Sequence, residues 1–60
     1  MVVKNHNLVD IDAELVHETD DAFLINDGDK KVWCPKSLTE NNRDGTFTMP
    51  EWFAEKAGLV

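Results

Sequence analysis

The sequence predicts a small, mainly β fold with one C-terminal helix, and three observations lead there. Residues 8–18 alternate apolar and acidic side chains, residues 22–34 hold two strand-favouring runs around an Asp27-Gly28 turn, and residues 48–58 carry the start and stop signals of a short helix. In the first stretch Val9, Ile11, Ala13 and Leu15 alternate with Asp10, Asp12 and Glu14. This is the pattern of a strand with one buried and one wet face. A helical stripe through Leu8, Ile11 and Leu15 competes with it, but β-branched Val9, Ile11 and Val16 lose side-chain freedom in a helix and favour the strand.

Thr19-Asp20-Asp21 is a polar turn that returns the chain into a second strand, Ala22 to Asn26. Asp27-Gly28 supplies the positive φ angles of a tight hairpin turn and launches a third strand, Lys30 to Cys34. Pro35 has no N–H to give to a ladder, so that strand is expected to stop at Cys34. Three strands in succession make an antiparallel meander. Ser37 to Glu40 and Thr46 to Thr48 fit short fourth and fifth strands around an Asn41 to Gly45 turn. Thr48-Met49-Pro50-Glu51 has the form of a capping box, with Phe47 and Trp52 at the hydrophobic-staple positions. The helix is expected over residues 49–57, closed by Gly58 in the left-handed conformation. Its Met49, Trp52, Phe53 and Ala57 face would plug one end of a small barrel, which assigns Trp52 to the core. Residues 1–7 form an arm or edge of a single domain, 1–60.

A chain this short buries only about 60% of its unfolded surface, too little to enclose a catalytic cleft, so recognition on the surface is expected rather than catalysis. The single cysteine, Cys34, excludes an internal disulfide, and with only His6 and His17 beside it a four-ligand zinc site would need carboxylates. A calcium loop starting at Asp10 would need glycine where Leu15 stands. Neither a metal nor another cofactor is expected. Cys34 reads as a small buried hydrophobe, His17 as a core-edge residue on the apolar register, and a hydrolytic Cys34–His17 pair lacks oxyanion donors. The longest apolar run is Ala22 to Ile25, which supports neither an export signal nor a membrane span and leaves the cytoplasm as the expected compartment.

Twelve acidic against six basic residues give a net charge of −6, which argues against direct binding of nucleic-acid phosphates. In residues 1–29 Lys4 alone faces Asp10, Asp12, Glu14, Glu18, Asp20, Asp21, Asp27 and Asp29, whereas the remainder is nearly balanced. Asp10, Asp12 and Glu14 would project from one strand face about 7 Å apart, close to the spacing of phosphates along a nucleic-acid strand. Glu18, Asp20, Asp21, Asp27 and Asp29 would extend that comb. It has two readings: a mimic that occupies a basic nucleic-acid groove, or a solvated face whose like charges discourage edge-to-edge pairing. Trp33 has two readings: it serves the core like Trp52, or, if the third strand alternates so that it shares a face with Lys31 and Pro35 opposite Val32 and Cys34, it is a partly exposed anchor for a partner. Lys36 beside it would meet a phosphate or a partner's carboxylate, or cap a turn.

The runs Glu18-Thr19-Asp20-Asp21-Ala22-Phe23-Leu24-Ile25, Val32-Trp33-Cys34-Pro35-Lys36-Ser37 and Asp44-Gly45-Thr46-Phe47-Thr48-Met49-Pro50-Glu51-Trp52 resemble small proteins of bacteriophages and prophages. Those proteins read E-T-x-x-A-x-L-x, then G-x-x-x-W-x-P-K-S, then P-E-W-x-A ahead of a C-terminal helix. The resemblance spans residues 14–60 and departs at Cys34 and Leu38, where an aliphatic and a polar residue are expected. It implies a five-stranded barrel of the Src-homology (SH3-like) type, a mobile-element origin and residence in a bacterial host cell. Small acidic phage proteins include inhibitors of host defence, anti-CRISPR proteins among them. On that basis the expected function is inhibition of a host nucleic-acid-handling defence complex, through partial nucleic-acid mimicry against a host protein or ribonucleoprotein with a basic groove. The alternative is a structural or adaptor module that assists a phage replication or assembly complex without inhibiting anything.

Overall fold

Six strands precede one helix: β1 (Leu8–Asp12), β2 (Glu14–Glu18), β3 (Ala22–Asn26), β4 (Lys31–Pro35), β5 (Glu40–Asn41), β6 (Thr46–Pro50) and α1 (Glu51–Lys56). The computed structural model describes residues 7–60. Of the arm expected over residues 1–7, only Asn7 therefore falls within the described residues, and His6 lies outside them. The strands form two antiparallel three-stranded sheets, ordered β1-β6-β5 and β2-β3-β4. The fold is mainly β with one C-terminal helix, as the sequence predicts, but the barrel is not closed: among the described residues β4 and β5 are not paired.

The single strand expected over residues 8–18 is two strands, because the chain changes sheets at Ala13, whose amide donates to the Gly45 carbonyl (3.0 Å). Alternation survives this corner. Val9, Ile11 and Ala13 pack on the core, Leu15 stands opposite Ile25, and Asp10, Asp12 and Glu14 are exposed. Only the second half enters the meander, while β1 pairs with β6 from Leu8 opposite Pro50 to Asp12 opposite Thr46. A β-bulge at Val16 then breaks the period: Leu15 opposes Ile25 but His17 opposes Leu24. The extra residue turns His17 away from the apolar register and onto the outer face.

The β3–β4 turn spans four residues, Asp27 to Lys30, and only Gly28 takes a positive φ (106°). Its amides are held by side chains: Asn26 Oδ1 accepts from the Gly28 amide, and Asp27 Oδ1 from the Asp29 and Lys30 amides. β4 runs one residue past its expected end, to Pro35 opposite Ala22. The missing donor is tolerated because β4 is an edge strand. Residues 36–38 form a turn rather than a strand, with the Leu38 amide donating to the Pro35 carbonyl (3.0 Å), and β5 is confined to Glu40–Asn41.

Ile11, Phe23, Ile25, Cys34, Phe47, Met49 and Ala54 form the core. The Phe23 and Phe47 rings, 5.7 Å apart, join the two sheets across it. Each fully buried large side chain contributes about 1.5–3 kcal/mol relative to exposure, which makes Ile25, Phe47 and Met49 the principal clamps. The helix begins at Glu51 with Pro50 as its extended N-cap (φ −62°, ψ 142°), and no side chain caps it. The capping box does not form, because Thr48 belongs to β6 and its hydroxyl donates to Asp10 Oδ1 (2.6 Å), while the Glu51 amide donates to the Asn7 carbonyl (3.0 Å). Ala54 is the helical residue that enters the core. At about 100° per residue, Trp52 then points to the far side, and it is 49% exposed rather than buried. Helix closure follows the expectation: Gly58 (φ 78°) donates to the Glu55 carbonyl and Leu59 to the Ala54 carbonyl, the Schellman pattern.

Candidate functional site

The two sheets present different outer faces. On β1-β6-β5 the exposed Leu8 stands opposite Pro50 at one end, and several of the polar residues beyond it bond to one another. Asn42 Nδ2 donates to Thr48 Oγ1 (2.8 Å) and Thr46 Oγ1 (3.0 Å), the Thr48 hydroxyl donates a hydrogen bond to Asp10 Oδ1 (2.6 Å), and Thr46 Oγ1 donates to Asp44 Oδ1 (2.5 Å). That hydroxyl, aided by the Thr46 amide, holds the Asp44 carboxyl below the usual range.

The outer face of β2-β3-β4 differs. Its central row is His17, Leu24 and Trp33, set opposite one another across the three strands. Ala22 and Pro35 form the row on one side, and Glu14, Asn26 and Lys31 the row on the other. Trp33 is 50% exposed, and His17 stands perpendicular to it at 6.2 Å between ring centroids. The helix packs against β1 and β6, and no described element covers Trp33. An indole fixed on a strand, half-exposed and set perpendicular to the His17 ring, has apolar surface available for a partner.

The carboxylates singled out in the sequence do not come together as one comb. Asp10 and Asp12 stand on the outer face of β1-β6-β5, whereas Glu14 lies beyond the corner on the other sheet. Glu14 shares an end of that sheet with Asp27 and Asp29 in the β3–β4 turn. Glu18, Asp20 and Asp21 gather at the opposite end, where the Thr19 hydroxyl accepts from the Asp21 and Ala22 amides. Lys36 Nζ meets Glu18 Oε2 at 2.6 Å and lies over the Phe23 ring at 5.2 Å, so the chain's own carboxylate takes this cation. The Lys36 hydrogen bond is also the main cause holding Glu18 below the usual carboxylate range, and the two turn amides do the same for Asp27.

Sequence reasoning left Trp33 open between core and outer face and did not place Leu24 and His17 beside it. Counting outward from the hairpin turn would have placed Leu24 opposite Trp33. Nothing local announces the bulge at Val16 that brings His17 alongside.

Cys34 is fully buried and on the inner face, away from His17, and burial pushes its thiol up, partly offset by the nearby Thr39 hydroxyl. That buried hydroxyl meets no hydrogen-bond partner of good geometry. Among the described residues no group of three His, Cys, Asp or Glu side chains is placed to hold a metal ion, and no helix is long and apolar enough to cross a membrane. A depression of about 240 Å³ between Leu8 and the Lys36–Thr39 turn is lined mainly by polar groups, with Lys36 already paired to Glu18. No protein-family model, curated protein or solved structure matches this chain, so its function is read from the surface itself.

Proposed function

We propose that the chain is a non-catalytic acidic binding protein, of the phage-borne inhibitor kind, that docks on a basic nucleic-acid-handling complex of the host and competes with its nucleic acid. The observation that carries this reading is the half-exposed Trp33, set beside Leu24 and His17 on an uncovered sheet face of a chain with net charge −6. Trp33 anchors by burying its open half in an apolar hollow of the partner. Carboxylates at both ends of the same sheet, Glu14, Asp27 and Asp29 at one and Asp20 and Asp21 at the other, meet lysines and arginines that otherwise hold phosphates. Asp10, occupied by Thr48, and Glu18, occupied by Lys36, contribute less. A thiol buried on the inner face and a histidine turned outward favour binding over chemistry.

The test is affinity capture from bacterial lysate with the wild type, a Trp33→Ala variant and a Glu14→Gln, Asp27→Asn, Asp29→Asn triple variant. Each captured protein is then assayed for nucleic-acid binding. The expected outcome is a nucleic-acid-handling partner whose capture needs Trp33, weakens in the triple variant and excludes nucleic acid. Capture indifferent to Trp33 refutes the reading. The dispersal of the carboxylates favours one alternative, an adaptor held by the Trp33 face alone, and capture that needs Trp33 but ignores the triple variant selects it.

A further inference from the structure

We propose that β2 is the element on which the partner docks, by accepting an extended basic segment as a fourth strand of the β2-β3-β4 sheet. The inference rests on the binding reading above and adds to it the mode of docking and the chemistry of the segment. β2 is the outermost strand of its sheet and, among the described residues, pairs only with β3. All five of its residues are exposed, with Leu15 at 38% and Val16 at 42%. Its outer edge therefore offers backbone donors and acceptors next to exposed apolar side chains, the requirement for strand addition. Other edges are poorer. β4 ends at Pro35, which has no N–H to donate, and β5 is only two residues long. β1 is also five residues long and outermost in its sheet, but Ile11 is buried in the core and Val9 packs against it, whereas all five residues of β2 are exposed.

Charge selects the occupant. Glu14 and Glu18 bracket β2, and Asp20 and Asp21 follow it. A second copy pairing antiparallel about Val16 would set Glu14 against Glu18 at both ends of the ladder, and like charges directly opposite destabilise a pair. Two chains of net charge −6 also repel. The carboxylates and the bulge at Val16 discourage self-pairing, and they favour a short segment with a basic residue opposite Glu14, the carboxylate of β2 that Lys36 does not hold. A side chain placed next to His17 on the outer face would lengthen the His17, Leu24 and Trp33 row, so an apolar or aromatic residue belongs there.

The experiment titrates the isotope-labelled protein with a capped peptide Lys-Val-Tyr-Val-Lys and, separately, with Glu-Val-Tyr-Val-Glu, reading amide hydrogen exchange and chemical shifts along the chain. The basic peptide is expected to slow exchange of outward-facing amides within Leu15–Glu18 and to shift Leu24 and Trp33 to a smaller degree, and the acidic peptide to do neither. Glu14→Gln should weaken the response about two- to fivefold, the range of one cross-strand ion pair. Equal responses to the two peptides, no slowing in β2 up to millimolar peptide, changes confined to Trp33 and Leu24, or self-association through β2 in sedimentation would each overturn the proposal. If capture of a partner still needs Trp33 while β2 shows no protection, strand addition fails and the binding reading stands. If capture is also indifferent to Trp33, both fall.

Discussion

Replacing Thr48 with Ala removes a hydroxyl that donates to Asp10 Oδ1 (2.6 Å) and accepts from Asn42 Nδ2 (2.8 Å). A net hydrogen bond contributes about 0.5–1.5 kcal/mol, and one to a carboxylate lies at the upper end before exposure reduces it. The expected loss is therefore about 1–2 kcal/mol, or roughly 5–15 °C in Tm for a domain of this size. Loss of an N-cap would cost a similar amount, about 1 kcal/mol, so the single substitution does not separate a cap from a cross-strand link. A pair of double-mutant cycles does. Thr48→Ala combined with Asp10→Ala should show a coupling of about 0.5–1.5 kcal/mol, because the two side chains share one bond. Thr48→Ala combined with Glu51→Ala should be additive within about 0.3 kcal/mol. Urea unfolding followed by circular dichroism supplies the free energies, with constant m-values as the check on two-state behaviour. A coupling to Glu51 larger than that to Asp10 would restore the capping box and refute the position of Thr48 in β6.

Two further outcomes test the architecture. Trp33 and Trp52, 50% and 49% exposed, should both emit at long wavelength and be quenched readily by acrylamide in single-tryptophan Phe variants, and a blue-shifted, protected Trp52 would return that ring to the core. Acid should weaken the fold through Glu18, Asp27 and Asp44, all held below the usual carboxylate range by Lys36, by turn amides and by Thr46 respectively. Depressed carboxyls in the native state mean that the unfolded chain binds more protons. Their contribution is complete above the ordinary value near 4 and is lost as pH falls through the lower native values. The urea midpoint should drop between pH 6 and pH 3, less steeply in Lys36→Met, and a midpoint that stays flat over that interval contradicts the assignment.

Legibility in the sequence followed the range over which each signal acts. The β3–β4 hairpin and the Gly58 helix stop were readable because one or two residues dictate them: Gly28 and Gly58 take φ of 106° and 78°, which side chains resist. The period-two stretch was readable as inward and outward faces but not as two strands. A corner such as Ala13 leaves the alternation intact and shows only in pairing, with β1 going to β6 some forty residues away. The helix start was misread for a related reason. Thr48 and Glu51 have the right types at the right spacing, yet the strand partner of Thr48 lies far off in sequence and takes its hydroxyl first. Strand alternation left Trp33 open between core and outer face, and the structure leaves it 50% exposed, while its neighbour His17 depended on a bulge that no local residue type announces.

The same corner divides the charge. Eight carboxylates fall in the first 29 residues, but folding distributes them over two sheets and both ends of β2-β3-β4, and three of them are engaged within the chain: Asp10 by Thr48, Glu18 by Lys36 and Asp27 by turn amides. Such an arrangement suits steering better than close mimicry. Exposed charges act across about 8 Å at physiological ionic strength, so several dispersed carboxylates still bias encounter with a basic partner, although they cannot reproduce the fixed register of a phosphate backbone. Residence on the partner must then come from elsewhere, and in the proposed binding mode it comes from the apolar row through Trp33, whose burial releases water without breaking bonds the protein already makes. In the proposed binding mode, charge acts on association and Trp33 on dissociation.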